Sequence, residues 1–451
     1  MTHRTGRGLA ALVFVLMVGI SNADAHPKVA PRSGRDAVEG QWIVVLRDDV
    51  DPDAVADQLA RETGGQTGER YYHALRGVVL HGSEAAVTKI ADKPEILFIQ
   101  QDGLAYALDR PDSAGNSSNT GSVVAQAQTL PTGIDRVDAE LNLNEGAGVG
   151  VAIIDTGIQL NHPDLSPIAG QVTFVKGTSS ANDDNGHGTH VAGIVAARNN
   201  SVGVLGVASS ASLYAVKVLN RNGSGTWSQV ISGIDWVTKN ANQIAVANLS
   251  LGGSFTNADD GNCGNTNLDA LHRAICKSVD AGVVYVVAAG NSTADAKDFS
   301  PAAYDEVITV SALADSDGKP NGTGDATQYG PDDTFATFSN FGQDVDIIAP
   351  GVRINSTYIG SAYTTLSGTS MATPHVAGAV ALWIAQHGRP VNAAGKVTGN
   401  AKDPAVRTLL TGISESVGSF PGDPDGTAEP MLNANTSSVS NSPSSVCCAA
   451  K

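Results

Sequence analysis

Charge is scarce in this chain. Asp, Glu, Lys and Arg make up 16% of its 451 residues, against about 25% in an average soluble protein. That is too little charge for a disordered chain, and hydrophobic residues reach 41%, enough for a large buried core. Positive charge is scarcer still. The 28 Lys and Arg face 45 Asp and Glu, a formal net charge of −17. Contact with phosphate needs clustered Lys and Arg, so neither nucleic acid nor an acidic lipid surface is an expected partner. Long hydrophobic runs are also lacking. The run Leu9 to Ile20 falls short of the ~20 residues that span a bilayer. His3, Arg4 and Arg7 precede it and Ala23-Asp24-Ala25 follows, which reads as a cleaved export signal over 1–25. The mature product is expected outside the cell, with no stable membrane association once the signal is removed. Cysteine is limited to Cys263, Cys276, Cys447 and Cys448. In an oxidising compartment Cys263 and Cys276 are close enough for a local disulfide, the alternative being two free thiols. Zinc would need further ligands at suitable spacing, and none stand nearby. Glycine, in contrast, is plentiful at 50 residues, as tight turns and close backbone approach require.

Residues 41–106 read as a small α+β domain. Gln41–Leu46, Gly77–Leu80 and Ile96–Ile99 have strand composition, and Asp53–Glu62 and Ser83–Ile90 have helical spacing. Residues 107–128 turn to Ser, Asn, Gly, Gln and Ala, a flexible linker suited to proteolysis. From 129 to 430 apolar runs alternate with amphipathic stretches. Val149–Ile154, Leu213–Leu219, Ile244–Leu249, Val283–Val287 and Val307–Val310 are the runs; 187–198, 228–239 and 268–280 are the helical patterns between them. Continuous apolar strands alternating with helices predict an α/β domain whose mostly parallel sheet is covered on both faces. Ligands of such sheets bind where the strands end. Residues 431–451 are rich in Asn and Ser and read as a polar tail.

Four residues stand where such a site would form. Asp155 closes the run Val151-Ala-Ile-Ile-Asp155. His187 lies in Asn185-Gly-His-Gly-Thr-His-Val-Ala-Gly193 at the start of a helix, where backbone dipoles favour a neutral base. Its spacing to His190 is i, i+3 without the Glu of a zinc helix, so a metal pair is not expected. Ser370 lies in Gly368-Thr-Ser-Met-Ala-Thr-Pro-His-Val-Ala-Gly378. Small neighbours admit a substrate carbonyl, and a position at a helix start turns the Ser370 N–H outward. Pro374 is tolerated there if it falls in the first turn. Asn291, after Val286-Val-Ala-Ala-Gly290, offers a second oxyanion donor. Each residue alone also suits a cap or a turn. Together they place Asp, His, Asn and Ser in the chain order of one class of serine hydrolase.

These blocks, with Ser250-Leu-Gly-Gly253, resemble the subtilisin-like serine proteases. Val218-Leu-Asn-Arg-Asn-Gly-Ser-Gly-Thr226 is most similar to the proteinase K branch, although Val191 stands where that branch often has a cysteine. Residues 41–106 resemble the family's inhibitory propeptide. The resemblance implies a three-layer αβα peptidase domain, preceded by that propeptide acting as intramolecular inhibitor. It implies a monomeric serine endopeptidase acting on protein and peptide substrates. Ser370 would be the nucleophile, His187 the base and Asp155 its orienting acid, with Asn291 and the Ser370 N–H as oxyanion hole. Gly223, Ser224, Gly225 and Thr226, and Ser250, Leu251, Gly252 and Gly253, would flank an extended substrate. Catalysis would need no cofactor. A structural calcium is implied at the carbonyls of Asp305 and Val307 and the carboxylate of Asp346. Self-cleavage is expected within Ser122 to Thr129. Two other readings compete. A non-catalytic scaffold of the same fold would not need all four positions filled. A dinucleotide enzyme is suggested by Gly146-Ala-Gly148-Val-Gly150, but these glycines precede the strand instead of opening a helix.

Overall fold

In the computed structural model the described residues are 26–32, 34–108, 127–165, 167–254 and 259–435. The export signal, linker residues 109–126 with the start of the expected cleavage window, and Cys447 and Cys448 lie outside the described residues.

The main body is built on a ten-stranded sheet. Its centre runs Ile308–Ala314, Val284–Ala288, Ile244–Leu249, Gly150–Asp155 and Ser212–Lys217, all parallel. The first four are buried from end to end. Alternate residues serve opposite faces. Val151 and Ile153 pack with the helices His187–Ala196 and Thr369–His387 through Val191, Val195, Val376 and Val380. Ala152 and Ile154 pack with Trp227–Lys239 and Ala270–Asp280 through Val230, Ile234, Ile275 and Val279. Both faces are apolar, so the strands read as unbroken runs and the product is a three-layer α/β domain. Local signals start the helices. Thr226 and Gln229 form a capping box at Trp227–Lys239, and Asp269 accepts the Leu271 N–H at 3.0 Å ahead of Ala270–Asp280. A Cys263–Cys276 disulfide, Cα atoms 5.9 Å apart, ties that helix to the preceding loop. Met431–Leu432 also enters the sheet, beside Ile347–Pro350, and both side chains are fully buried. The core therefore runs past 430, because two apolar residues suffice for an edge strand inside a stretch of polar composition. No helix among the described residues is long and apolar enough to cross a membrane.

The small domain has the strand order Gln66–Tyr71, Gly77–His81, Ala37–Leu46, Ile96–Ala107, with helices Pro52–Thr63 and Glu84–Thr88. Two features differ from the sequence reading. Gln66–Tyr71 carries no apolar alternation; it is an edge strand, half-buried over most of its length. Ile96–Ala107 does not stop at Ile99 but continues through Gln100-Gln-Asp-Gly103. Gln100 and Asp102 are buried because they serve the neighbouring domain, whereas half-buried Gln101 bonds within its own through Arg32 and Val38. Gln100 Oε1 accepts the Ala270 N–H at 3.0 Å, and Asp102 Oδ1 accepts the Ser228 N–H at 3.1 Å. Each caps the first turn of a main-body helix from outside. In return, Asp235 Oδ1 accepts the N–H groups of Tyr72, His73 and Ala74 at 3.0, 2.6 and 2.8 Å. The strand Ile96–Ala107 then runs on to pair antiparallel with Ser224–Thr226 and Leu251–Ser254.

Candidate active site

Asp155, His187 and Ser370 come from three elements that end on one side of the sheet, and all three are at most 1% exposed. Asp155 is the last residue of its strand. The turn after it is held by Lys217, whose buried Nζ donates to Thr156 O at 2.6 Å, Leu219 O at 2.9 Å and Asp184 Oδ1 at 2.6 Å. His187 is the first residue of its helix. Asn185 Oδ1 accepts its N–H at 3.0 Å, and Asp183 Oδ1 accepts those of Asn185 and Gly186 at 2.9 and 3.0 Å. The His187 ring meets the acid: Nδ1 lies 2.8 and 2.9 Å from Asp155 Oδ1 and Oδ2. A carboxylate on Nδ1 leaves Nε2 as the acceptor in the neutral ring.

His190 serves elsewhere. Its Nε2 is 3.1 Å from the carbonyls of Ile354 and Thr364, and burial pushes its pKa down to about 3. It is a neutral structural donor to those two carbonyls.

Ser370 is the second residue of its helix, so its N–H belongs to the first turn, which has no intrahelical acceptor. Its hydroxyl donates to Ser250 O at 2.9 Å. Pro374 lies inside the helix and not in its first turn. Proline has no N–H for the carbonyl four residues back, here that of Ser370. Ser250 Oγ donates to that carbonyl at 2.9 Å instead, and Asn248 Nδ2 in turn donates to Ser250 Oγ at 2.9 Å. Ser250 was expected only along the substrate edge; here it also braces the serine helix.

Asn291 is fixed by Thr369, whose N–H and Oγ1 both donate to Asn291 Oδ1 at 2.9 Å. This turns the amide nitrogen towards the cleft, where it donates to Leu108 O at 2.7 Å. The turn carrying Asn291 is held by Asn340, which donates to Ala289 O at 2.9 Å and accepts the Ser292 N–H at 2.9 Å. Neither Thr369 nor Asn340 is marked by any local sequence signal, because each acts across the fold. The expected substrate residues Gly223 to Thr226 and Ser250 to Gly253 line the two sides of one extended segment, Leu104–Leu108. Beside Leu108 is a cavity of about 190 Å³, walled by Gly252, Gly253, Ala288, Ala289, Gly290 and Phe299.

Of the atoms expected to hold calcium, the Asp346 carboxylate already has protein partners. Asp346 Oδ1 lies 2.9 Å from Arg407 Nη1 and its Oδ2 accepts the Thr309 N–H at 2.9 Å. Asp305 Oδ2 lies 2.7 Å from Lys402 Nζ. Arg407 matches the Asp346 charge, whereas the Asp305 atom expected to bind is its carbonyl and not the carboxylate that meets Lys402. Another place suits oxygen coordination better. Asp164 is fully buried, and its carboxylate meets only neutral donors in its hydrogen bonds: Asn200 Nδ2 at 3.0 Å, the Val204 N–H at 3.0 Å and Tyr363 OH at 3.3 Å. Burial raises its pKa, as expected of a carboxylate lacking a matched charge. Close by in the same loop, the carbonyls of Arg198 and Val204 converge on Gln128 Nε2 at 2.6 and 3.1 Å.

Residues 146–418 match the model of the Subtilase family. The chain is 45% identical over 267 residues to subtilisin DY of Bacillus licheniformis, covering 58% of this chain and 86% of that protein. It is 34% identical over 394 residues to subtilisin E of Bacillus subtilis (strain 168), covering 85% of this chain and 89% of that protein. Among solved structures, a cold adapted subtilisin-like serine proteinase superposes with a TM-score of 0.50 at 33% identity, over 67% of this chain and 97% of that one.

Proposed function

The chain belongs to the subtilase family and is a serine-type peptidase, and from that premise we propose a secreted endopeptidase that works through Asp155, His187 and Ser370 and is made as an inhibited precursor. The observation that carries this reading is the grouping around Leu108: its carbonyl accepts from Asn291, while its N–H and the Ser370 hydroxyl share the Ser250 carbonyl at 3.3 and 2.9 Å.

In the proposed reaction a rotation about χ1 moves the Ser370 hydroxyl from Ser250 O to His187 Nε2. Its Oγ attacks the scissile carbonyl carbon while His187 takes the proton, and Asp155 holds the ring and stabilises its charged form. The Asn291 amide and the Ser370 N–H hold the oxyanion. His187 then protonates the leaving amine, and water cleaves the acyl-enzyme by the same steps. Substrate binds as a strand between Gly223–Thr226 and Ser250–Gly253 through backbone contacts, which suits many sequences. The apolar cavity favours an apolar side chain just before the scissile bond.

The small domain supports the role of propeptide and intramolecular inhibitor, since its last strand occupies that same groove. The loop Val218–Thr226 supports the proteinase K-like branch. Calcium, where bound, would be held by Asp164, Gln128 and the carbonyls of Arg198 and Val204, and would brace this loop without taking part in the chemistry.

A fluorophosphonate probe tests the reading. It should label Ser370 of the mature enzyme, and Ser370→Ala should lose both label and casein cleavage while keeping the fold by circular dichroism. Casein cleavage by that variant at the wild-type rate excludes the assignment.

A further inference from the structure

The strand Ile96–Ala107 leaves its own domain and threads the cleft. Leu104, Ala105 and Tyr106 stand opposite Thr226, Gly225 and Ser224 on one side, and Tyr106 and Ala107 opposite Gly252 and Leu251 on the other. The ladder continues one residue further. The Ala107 N–H donates to Gly223 O at 2.9 Å and the Leu108 N–H to Ser250 O at 3.3 Å. Leu108 is therefore the residue whose carbonyl reaches the Asn291 amide, at 2.7 Å. Its side chain faces Gly252, where an added Cβ would stand 3.2 Å from Leu108 Cδ1.

The peptidase body starts elsewhere. The Gln128 and Thr129 N–H groups donate to Ser201 O and Gly203 O at 3.1 and 2.8 Å, so the chain is anchored to the body from there on. The end of the inhibitory strand and the start of the body are separate places, with 109–126 between them in sequence.

We propose that the precursor's first self-cleavage occurs in cis at the Leu108 carbonyl. The released propeptide then ends at Leu108, and Asp109 becomes a temporary N-terminus. Removal of 109–126, within the window Ser122 to Thr129, is a second and separate event. This rests on the roles proposed above for Ser370, His187 and Asn291. In the step, Ser370 Oγ bonds to the Leu108 carbonyl carbon, and its proton passes through His187 to the amine of residue 109 as the C–N bond breaks. Water then splits the Leu108–Ser370 ester, leaving the Leu108 carboxylate and the restored hydroxyl. A strand held by ladder bonds on both sides, with its carbonyl already on an oxyanion donor, is positioned for attack before any diffusional encounter.

The test is a refolding time course of the full precursor, quenched in acid and read by intact mass and N-terminal sequencing. The first new fragments should end at Leu108 and begin at Asp109, with a rate unchanged over a hundredfold dilution. A first new N-terminus between Ser122 and Thr129, in protein that goes on to cleave casein, overturns the proposal and leaves the catalytic reading intact. No cleavage together with no fluorophosphonate labelling overturns both. Leu108→Asp, which sets a charge against the apolar cavity, should slow the first cut at least tenfold. Its mature enzyme, released by traces of wild-type protein, should cleave casein at the wild-type rate. An unchanged first cut in that variant also refutes the assignment.

Discussion

Replacing Asn291 by Leu keeps the branched shape of the side chain and removes its side-chain donor. Its Oδ1 is pinned by two bonds from Thr369 at 2.9 Å, and its Nδ2 stands 2.7 Å from the carbonyl oxygen in the cleft. That distance lies within the 2.7–3.1 Å at which a preorganised donor stabilises an oxyanion. The donor strengthens as charge develops, so its loss should fall on kcat and spare KM. The expected loss is about 10²–10³-fold, or about 2.7–4 kcal/mol, a factor carried over from a subtilisin relative. Thr369→Val gives an internal scale. It removes one of the two pinning bonds and leaves the backbone one, but also strips the acceptor of the Gly290 N–H at 3.2 Å; the pinning bond alone is worth about 1 kcal/mol, so the loss in kcat should be at least about fivefold. Both variants should be matured by traces of wild-type enzyme, repurified and assayed on a peptide anilide with a Leu before the scissile bond. Asn291→Leu within threefold of wild type, or a loss confined to KM, would falsify the oxyanion role.

Three further outcomes are expected. Changing Cys263 and Cys276 to Ser opens a short loop and should lower the unfolding free energy by about 3 kcal/mol, read by urea titration of inhibitor-blocked enzyme; an unchanged midpoint contradicts this. EDTA should lower the thermal inactivation midpoint of wild-type enzyme and of Asp346→Asn but leave Asp164→Asn, already less stable, unmoved; a full EDTA response in Asp164→Asn removes Asp164 from the calcium site. Burial, reinforced by the charges of Asp423 and Asp425, pushes the Glu429 carboxyl up to about 8. The folded state then holds that proton more tightly, so stability is greatest below the usual glutamate range and falls as pH rises through about 8. Glu429→Gln should flatten that fall in chemical denaturation between about pH 5 and 8, and an unchanged slope would refute the attribution.

Much of the proposed site was legible because the proposed chemistry needs local sequence. A carboxylate must end an apolar strand, a histidine must start a helix after glycine, and a serine must sit among small residues. Asp155, His187 and Ser370 each satisfy this within a few positions. The central strands were legible because both their faces are buried, which leaves no polar alternation to confuse the run. The illegible parts depend on distant partners. Gln100 and Asp102 look like the polar end of a strand, yet they cap helices whose first residues lie far along the chain. Asp346 looks like a free oxygen ligand until Arg407 is folded against it. Pro374 seems to require a place in the first turn until Ser250 is seen to satisfy the carbonyl it leaves open.

The residues that hold the site in place share a property with the composition of the whole chain: few carry charge. Thr156 receives the Gly188 N–H at 2.9 Å, Asn185 the His187 N–H, Thr369 fixes Asn291, Asn340 fixes the turn before it, and Ser250 braces the serine helix. These are hydroxyls and amides. A charged residue in any of those positions would act on His187 as well as on its own partner, because an unscreened buried charge shifts the pKa of a neighbouring base. In the proposed reaction the base takes one proton and returns it, which a strong neighbouring charge would bias. Neutral hydrogen bonds fix geometry without that field. Lys217, the buried cation beside the Asp155 turn, follows the same logic, since Asp184 Oδ1 matches its charge at 2.6 Å and two carbonyls take its remaining protons. Asp155 is the carboxylate in direct contact with the His187 ring, while Asp183 is the charged exception among the positioning groups and holds the start of the same helix through the Asn185, Gly186 and Thr189 N–H groups.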